Sequence, residues 1–389
     1  MADEKRKRLE ALPKFLQPKL RLFLSVDLVG STVSKQRPNF PIREPGRLWA
    51  DGGMAPPWLS PIANFFGSFQ EAFVREWRIF RNQIGPQLGI AVAVDPSFWK
   101  ANGDELIFVK ELSDRKEILG CIDAWLKALI SLRPQLVASG LDIKATAWTA
   151  GFPVTNSELI FQVHPGTPDT PFEDDSRLQQ FNFLENWHEN PDSQNSLVMD
   201  FIGPSIDTGF RLASRSSPRH FVISIDIAYF LATSHLPAKR VIDVPPIFYA
   251  GRADLKGVLG GKPYPIFWID TMAGEKFAEA EDRLLGITEC HADNIAQFCL
   301  EFYKDNATLM FLPFIFREDD SQYGEFPENY IEALEHLCKK WIDEKARYLK
   351  ETEIESATND GSEKLTDVES EKKEKEIISA LIKSRSSQR

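Results

Sequence analysis

Two aspartates lie where a hydrophobic sheet would not ordinarily hold a charge. Asp27 is inside the apolar run Leu20–Leu28, which predicts a buried central strand. Asp104 directly follows Asn102-Gly103, and Asn-Gly between apolar runs is a strong hairpin signal. A carboxylate in an apolar strand is costly unless its charge is compensated. If the hairpin lies beside the first strand, the two carboxylates converge at one edge of the sheet. With a backbone carbonyl such as that of Leu28, they would then suit Mg²⁺ or Mn²⁺. Taken singly, either aspartate is more often structural than catalytic.

Three small residues follow the first aspartate. Gly30, Ser31 and Thr32 end the predicted strand and open a helix, where backbone N–H groups can approach a phosphate. On its own this is a weak signal. The segment Gly257–Lys262 is not a phosphate-binding P-loop, because Pro263 stands where that motif requires Ser or Thr. The sequence also contains no GxSxG elbow and no HExxH motif.

A third pair of charged residues lies on a predicted helix further along the chain. Asp207 and Arg211 are four residues apart, which places both side chains on one face of that helix. An ordinary surface ion pair is the simplest interpretation, and it would contribute little. Gly209 argues against that interpretation, because a glycine inside a helix lowers its stability and indicates a close approach.

These residues need elements to position them, and the apolar spacing predicts those elements. Aromatic residues recur every three or four positions over 58–84, which predicts an amphipathic helix, and a second such helix follows over about 118–130. Strands are predicted at Phe98–Ala101, Glu105–Val109 and Leu141–Trp148. This order favours an antiparallel sheet with helices on one face, built on a ferredoxin-like βαββαβ core. The predicted fold class is therefore α+β.

The rest of the chain divides by composition. Residues 163–195 are polar and acidic, which predicts a long surface excursion. A strand at Leu197–Phe201, a helix, a strand, a second helix and a final strand pair over Phe248–Ile269 are expected next. Two amphipathic patterns then predict C-terminal helices, and the end of the chain, rich in Glu, Lys and Ser, predicts disorder. The predicted divisions are a lead-in (1–19), the α+β domain (20–272), a helical extension (273–350) and a disordered tail (351–389).

Bulk composition excludes several classes of protein. The net charge of −11 argues against a general nucleic-acid binder, because the phosphate backbone would be repelled. The four cysteines include no CxxC pair, so neither a disulfide framework nor a structural zinc site is predicted. No apolar run reaches the length of a membrane span, and the N-terminus lacks the apolar segment of a secretory signal. We therefore expect a cytoplasmic protein without a membrane span.

Together, the charged segments resemble those of the class III adenylate and guanylate cyclases. The first metal-binding segment of that family is similar to FLSVDLVGST, and the second to KANGDELIF. The family segment that carries Asn and, four residues later, Arg is similar to DFIGPSIDTGFRLASR, and its closing strands resemble ADLKGVLGGKPYPIFWI. The resemblance covers about Leu20–Asp270, and it identifies 20–272 as a catalytic domain. Within the class, the segment SVDLVGST and the long polar insertions resemble those of the pyrimidine cyclases of bacterial Pycsar antiphage systems.

The resemblance implies a role for each matched position. Asp27 and Asp104, with the carbonyl of Leu28, would bind two Mn²⁺ or Mg²⁺ ions. Arg211 would stabilise the transition state, reaching across from the partner subunit of a homodimer with shared active sites. Asp207 stands where the family has an Asn that orients the ribose, so the chain departs from the family at this position.

The activity implied is that of a nucleotide cyclase acting on a pyrimidine nucleoside triphosphate, with UTP favoured. Its products would be the 3′,5′-cyclic monophosphate and pyrophosphate, and a separate effector protein would sense the cyclic product in antiphage defence. Lys100 and Asp200 fall where adenylate cyclases hold their adenine-reading residues, so cytidylate and adenylate cyclases remain alternatives. A non-catalytic nucleotide-binding module on the same fold is an alternative of a different class. A diguanylate-type enzyme fits less well, because NGDEL supplies one Gly before its Asp-Glu.

Overall fold

A computed structural model describes most of the chain. The described residues are 2–36, 56–92, 94–162, 176–189, 197–234, 242–316, 326–327 and 329–359. The strands are β1 (Lys19–Val29), β2 (Ser97–Asn102), β3 (Glu105–Leu112), β4 (Asp142–Phe152), β5 (Ser157–Gln162), β6 (Leu197–Ile202), β7 (His220–Ile223), β8 (Ile247–Ala253) and β9 (Tyr264–Asp270). The helices are α1 (Ala2–Glu10), α2 (Ser31–Gln36), α3 (Leu59–Ile79), α4 (Gly85–Gln87), α5 (Lys116–Ala138), α6 (Ser176–Glu189), α7 (Pro204–Leu212), α8 (Ile225–Ala232), α9 (Lys276–Leu285), α10 (Ala292–Asp305) and α11 (Tyr330–Asn359).

The chain divides into two compact units. The larger unit comprises Leu20–Ala150 and Pro204–Gly324, and the smaller comprises Met1–Lys19, Gly151–Gly203 and Glu325–Arg389. Within the described residues, no helix is both long and apolar enough to cross a membrane. The predicted tail (351–389) lies outside the described residues from 360 onward. The four domain boundaries expected from the sequence stay a prediction.

A seven-stranded sheet organises the larger unit. Its strand order is β2-β3-β1-β4-β7-β9-β8, so the first four strands have the arrangement 4-1-3-2 expected of a ferredoxin-like βαββαβ core. Strands β1 and β3 are antiparallel, with a register that runs from Leu20 opposite Leu112 to Asp27 opposite Glu105. The β7–β9 and β8–β9 pairs are antiparallel as well, whereas β4 and β7 are parallel. The predicted α+β class is confirmed.

The two faces of the sheet are covered differently. Leu22, Leu24 and Val26 of β1 belong to the main apolar core, in which α3 and α5 pack together through aromatic contacts. The Trp125 indole of α5, for example, lies 4.7 Å from the Phe69 ring of α3, measured between centroids. The aromatic stripe of α3 is therefore core, as its spacing predicts. The opposite face of β1 includes Phe23, which is fully buried. Ser25 and Asp27 follow Phe23 on that face, because side chains alternate along a strand.

The described residues of the smaller unit form a two-stranded sheet and three α-helices. Strands β5 and β6 pair antiparallel, from Ser157 opposite Ile202 to Gln162 opposite Leu197. The predicted strand at Leu197–Phe201 therefore pairs outside the seven-stranded sheet. The polar composition of 163–195 predicts a surface excursion, but residues 176–189 form α6. Residues 163–175 and 190–196 lie outside the described residues. The polar composition of α6 conceals its helical pattern, although Leu184 is buried.

Candidate active site

Asp27 and Asp104 lie close together at one edge of the sheet. Asp27 is near the end of β1, opposite Glu105 of β3, and Asp104 occupies the turn that joins β2 to β3. Gly103 has a φ of +70°, a left-handed conformation that glycine adopts without strain and that the tight hairpin requires. Burial raises the pKa of Asp27, and the negative charge of Asp104 raises it further. The structure therefore brings the two predicted carboxylates within electrostatic reach of each other.

Each of the two carboxylates has its own ammonium partner. The Nζ of Lys144, on β4, lies 3.3 Å from Oδ2 of Asp27. The Nζ of Lys35, at the end of α2, lies 3.3 Å from Oδ1 of Asp104. The hydroxyl of Ser31 donates to the other oxygen of Asp104. Each carboxylate is therefore already neutralised in part by a lysine, since a carboxylate without compensation would be costly at this site.

Glu105 is a third carboxylate at the same edge, and it is not among the site residues predicted from the sequence. Its Oε1 accepts a hydrogen bond from the hydroxyl of Ser25, and its Oε2 lies 3.4 Å from Nδ2 of Asn102. Burial raises the pKa of Glu105, and the charge of Asp27 adds to the shift. The available signal was its position directly after Asp104, which places its side chain opposite Asp27 once β1 and β3 pair.

The donor chemistry of this edge fits a divalent cation. Among the described residues no group of three or more His, Cys, Asp or Glu side chains is arranged as a metal site. Mg²⁺ does not require such a group, because it is commonly bound by one or two carboxylates and completes its shell with waters and substrate phosphates. Asp27 and Asp104 supply the hard oxygen atoms, and both already attract cations. The raised pKa of Asp27 means that burial disfavours its charged form, and a bound cation would stabilise that form.

The small residues after β1 form a sharp turn rather than a long helix. Gly30 has a φ of +88°, and α2 is only six residues long. Ser31 is buried with its hydroxyl directed to Asp104, whereas Thr32 is exposed. The Leu28 side chain is buried, and its backbone hydrogen bond to Asp27 lowers the pKa of that carboxyl. The phosphate-binding role of Gly30, Ser31 and Thr32 stays a prediction.

Helix α7 is pressed against the sheet at Gly209. A Cβ added to Gly209 would lie less than 3.0 Å from three atoms of the Trp148 indole. The glycine in the predicted Asp-x-Gly-x-Arg segment therefore permits a close approach of backbone to indole. Asp207 and Arg211 are both exposed on this helix, and within the described part of the chain no ion pair joins them.

An open cavity separates the carboxylate edge from α7 and the turn after it. The sheet contributes Asp27, Asn102, Glu105 and Lys144 to its wall, and the opposite side is lined by Phe210, Ala213 and Ser214. The cavity has a volume of about 570 Å³. This volume lies within the range typical of small-molecule sites. Lys144 and Phe210 join the site only through strand and helix packing, and the sequence analysis missed both.

The two predicted base-reading residues lie in different structural units. Lys100 belongs to the larger unit, where its Nζ lies 4.0 Å from the centroid of the Trp99 ring and 5.7 Å from that of Phe210. Asp200 belongs to the smaller unit, on β6, where its Oδ1 accepts a hydrogen bond from the backbone N–H of Phe201. Their joint role in reading a base stays a prediction.

Comparisons with known proteins identify only remote structural similarity. No protein-family model and no curated protein matches the chain. The adenylyl cyclase CyaB from P. aeruginosa is 14% identical over 65% of this chain and 94% of its own, with a TM-score of 0.38. The guanylyl cyclase Cya2 is 12% identical over 67% and 95%, with a TM-score of 0.35. The guanylate cyclase domain of RhGC from Catenaria anguillulae, in complex with GTP, is 11% identical over 64% and 96%, with a TM-score of 0.33. Similarity at this level assigns no activity to the chain.

Proposed function

We propose that this protein is a nucleotide cyclase that converts a pyrimidine nucleoside triphosphate, with UTP favoured, to the 3′,5′-cyclic monophosphate and pyrophosphate. The observation that carries the proposal is the convergence of Asp27 and Asp104 at one sheet edge, next to an open cavity. Two carboxylates from separate segments, one of them with a pKa raised by burial, are typical of a site built for a polyanionic substrate and its counter-ions.

The predicted site residues would have distinct roles in binding the metal and the phosphates. Asp27 and Asp104, with the carbonyl of Leu28, would hold Mn²⁺ or Mg²⁺, two ions per site. When bound, such ions activate a hydroxyl nucleophile and neutralise phosphate charge. The ribose 3′-hydroxyl would lose its proton to solvent and its oxygen would form a bond to the α-phosphorus, while the bond from that phosphorus to the bridging oxygen would break and release pyrophosphate, so no covalent enzyme intermediate is needed. Gly30, Ser31 and Thr32 would approach the phosphates with their backbone N–H groups.

Arg211 would stabilise the charge that develops on the phosphoryl oxygens, in the manner of an arginine finger. Its side chain is exposed, and in the described part of the chain it does not line the cavity of its own subunit. This placement supports a role in the site of a partner subunit. A twofold homodimer would then contain two identical shared sites. Asp207, on the same helix face, would contact the ribose from the same side.

Mixing two inactive variants tests the shared site. Asp27→Ala and Arg211→Ala proteins should each be inactive, and their mixture should regain activity because each heterodimer contains one intact site. Subunit exchange must first be shown with differently tagged chains. Proven exchange without any recovery would contradict a shared site.

The preference for a pyrimidine rests on the resemblance of SVDLVGST and the polar insertions to the Pycsar cyclases, and so does a role in antiphage defence through a separate effector. Lys100 beside Trp99 and Phe210 places a cation and aromatic rings near the cavity, which suits contact with a base of either class. Cytidylate and adenylate cyclase activities are therefore tested together with the uridylate activity.

The test is product identification from four separate substrates. Purified protein is incubated with Mn²⁺ and ATP, GTP, CTP or UTP, and the products are identified by mass spectrometry. We expect cyclic UMP from the wild type and none from Asp104→Asn. Asp123→Asn is the matched control, because Asp123 pairs with Lys127 on the exposed surface of α5 and should remain fully active.

The alternative outcomes separate the remaining candidates. Cyclic AMP or cyclic GMP alone would identify a purine cyclase and contradict the pyrimidine preference. Nucleotide binding without any product would favour the non-catalytic module, for which Asp207 in place of the family's Asn is the supporting observation. Full activity of Asp104→Asn would contradict the assignment of Asp104 to the metal site.

A further inference from the structure

Lys144 is the cation that faces the carboxylate edge from the neighbouring strand. Its Nζ lies 3.3 Å from Oδ2 of Asp27, and the two side chains are 28% and 32% exposed, so the pair is only partly solvated. Among the cavity-lining residues within the described chain, Lys144 is the one that carries a positive charge. It also acts on Glu105, where its charge opposes the shift of the pKa caused by burial.

A divalent ion bound to Asp27 would have to take the place of this ammonium. Two cations on one carboxylate repel each other, and the repulsion is strong where water screens it incompletely. A lysine side chain, however, is a point charge on a flexible stem and can swing away into the open cavity. The same geometry therefore permits two states, with Asp27 neutralised either by Lys144 or by a metal.

We propose that Lys144 is a built-in counter-ion of Asp27, which a divalent cation displaces when it binds. This inference rests on the proposed function, in which Asp27 is a metal ligand. Lys144 acts through Asp27 as a positioning residue: it keeps the carboxylate compensated and oriented in the metal-free protein, and it weakens metal binding by competition. An enzyme of this design binds its metal weakly until the substrate's phosphates add further negative charge.

The competition predicts that removing the charge of Lys144 tightens metal binding. Lys144→Met keeps the length of the side chain and removes the ammonium. We expect Mn²⁺ affinity in the absence of nucleotide to rise by about tenfold, the size expected when a close, partly solvated like charge is removed. Lys144→Arg retains the charge and should bind Mn²⁺ within about twofold of the wild type, a margin that corresponds to a negligible free-energy difference.

The measurement is Mn²⁺ binding to the full-length protein without nucleotide, followed by the loss of the electron paramagnetic resonance signal of free Mn²⁺. Lys127→Met is the matched control, because it removes the same charge from an exposed pair in which Nζ lies 2.7 Å from Oδ2 of Asp123. It should leave Mn²⁺ affinity unchanged. Asp27→Ala should lose this Mn²⁺ site, which identifies the site being measured. If Lys144→Met does not fold, Lys144→Gln takes its place.

Unchanged or weaker Mn²⁺ binding in Lys144→Met would overturn the inference, and so would an equal gain in Lys127→Met. Unchanged Mn²⁺ affinity in Asp27→Ala would also overturn it, because the ion would then bind elsewhere. Failure of the proposed function is distinguishable. No cyclic nucleotide would form at any Mn²⁺ concentration, while tighter binding in Lys144→Met would still support the competition.

Discussion

The contact between α7 and the sheet at Gly209 makes a prediction with two opposing terms. In an open helix interior, Gly→Ala stabilises a protein by about 1 kcal/mol, because alanine has the higher helix propensity. At Gly209 the new methyl group would lie less than 3.0 Å from the Trp148 indole. That indole is buried and stacked on Phe23, with 5.4 Å between the ring centroids, so it has little room to retreat. Overpacking of this kind typically costs about 1–3 kcal/mol and occasionally more.

The steric term should therefore win at Gly209. Because all three contacts to the indole would be shorter than 2.5 Å, we take the steric cost as about 2–3 kcal/mol, and we expect Gly209→Ala to lose about 1–2 kcal/mol net, which lowers the melting temperature by roughly 2–8 °C for a unit of this size. The matched control is Gly67→Ala, because Gly67 is exposed in the interior of α3 and a Cβ there would have no neighbour within 4 Å. This control should raise the melting temperature by roughly 2–4 °C through helix propensity alone.

Differential scanning fluorimetry of the two variants beside the wild type is sufficient to see opposite signs. The proposed cyclase activity should fall in Gly209→Ala as well, because α7 carries Phe210 and Arg211. A Gly209→Ala protein as stable as the wild type would refute the argument, since it would mean that α7 can move away from Trp148 at no cost. A destabilised Gly67→Ala protein would contradict the propensity term.

Two further predictions concern buried charges. Lys110→Met should lower the free energy of unfolding by about 3–5 kcal/mol, because Glu117 would stay buried and charged without its ammonium partner at 2.9 Å. The double variant Lys110→Met/Glu117→Met should recover most of the lost melting temperature, because it buries no charge. A double variant as unstable as the single one would contradict this. Burial raises the pKa of Asp226, although the hydroxyl of Tyr303 donates a hydrogen bond to its carboxylate. The native state therefore binds this proton more tightly than the unfolded state does. As a result, the free energy of unfolding falls as the pH rises above the ordinary aspartate pKa of 3.8 toward the native pKa. Asp226→Asn should flatten the dependence of melting temperature on pH in that window, and equal slopes in the two proteins would refute it.

Local patterns were sufficient to predict most elements of the larger unit. The apolar run at Leu20–Leu28 became β1, the Asn102-Gly103 turn joins β2 to β3, and the stripe over 118–130 lies within α5. Each pattern repeats with the period of its own element, so the information is contained within a few neighbouring residues. The α+β class followed from the order of those elements.

The smaller unit shows where local patterns fail. Helix α6 has a polar sequence, and its identity depends on packing of residues such as Leu184 rather than on a visible stripe. The pairing of β5 with β6 joins segments separated by a long stretch of chain, and the sequence of neither strand indicates which strand it pairs with. A strand expected in the main sheet was therefore found in a separate one.

For the candidate site, the sequence by itself determined which residues are chemically unusual. A carboxylate in an apolar strand, another at a hairpin turn, and a glycine inside a charged helix are visible without coordinates, because each conflicts with its local surroundings. Only the tertiary structure decided what stands next to them. Lys144 reaches Asp27 because β4 lies beside β1, and Glu105 faces Asp27 through the register of β1 and β3. Phe210 lines the open cavity because α7 packs on Trp148. Such neighbours are ordinary residues in their own segments, and they acquire a role only when long-range pairing brings them to a charge that needs compensation.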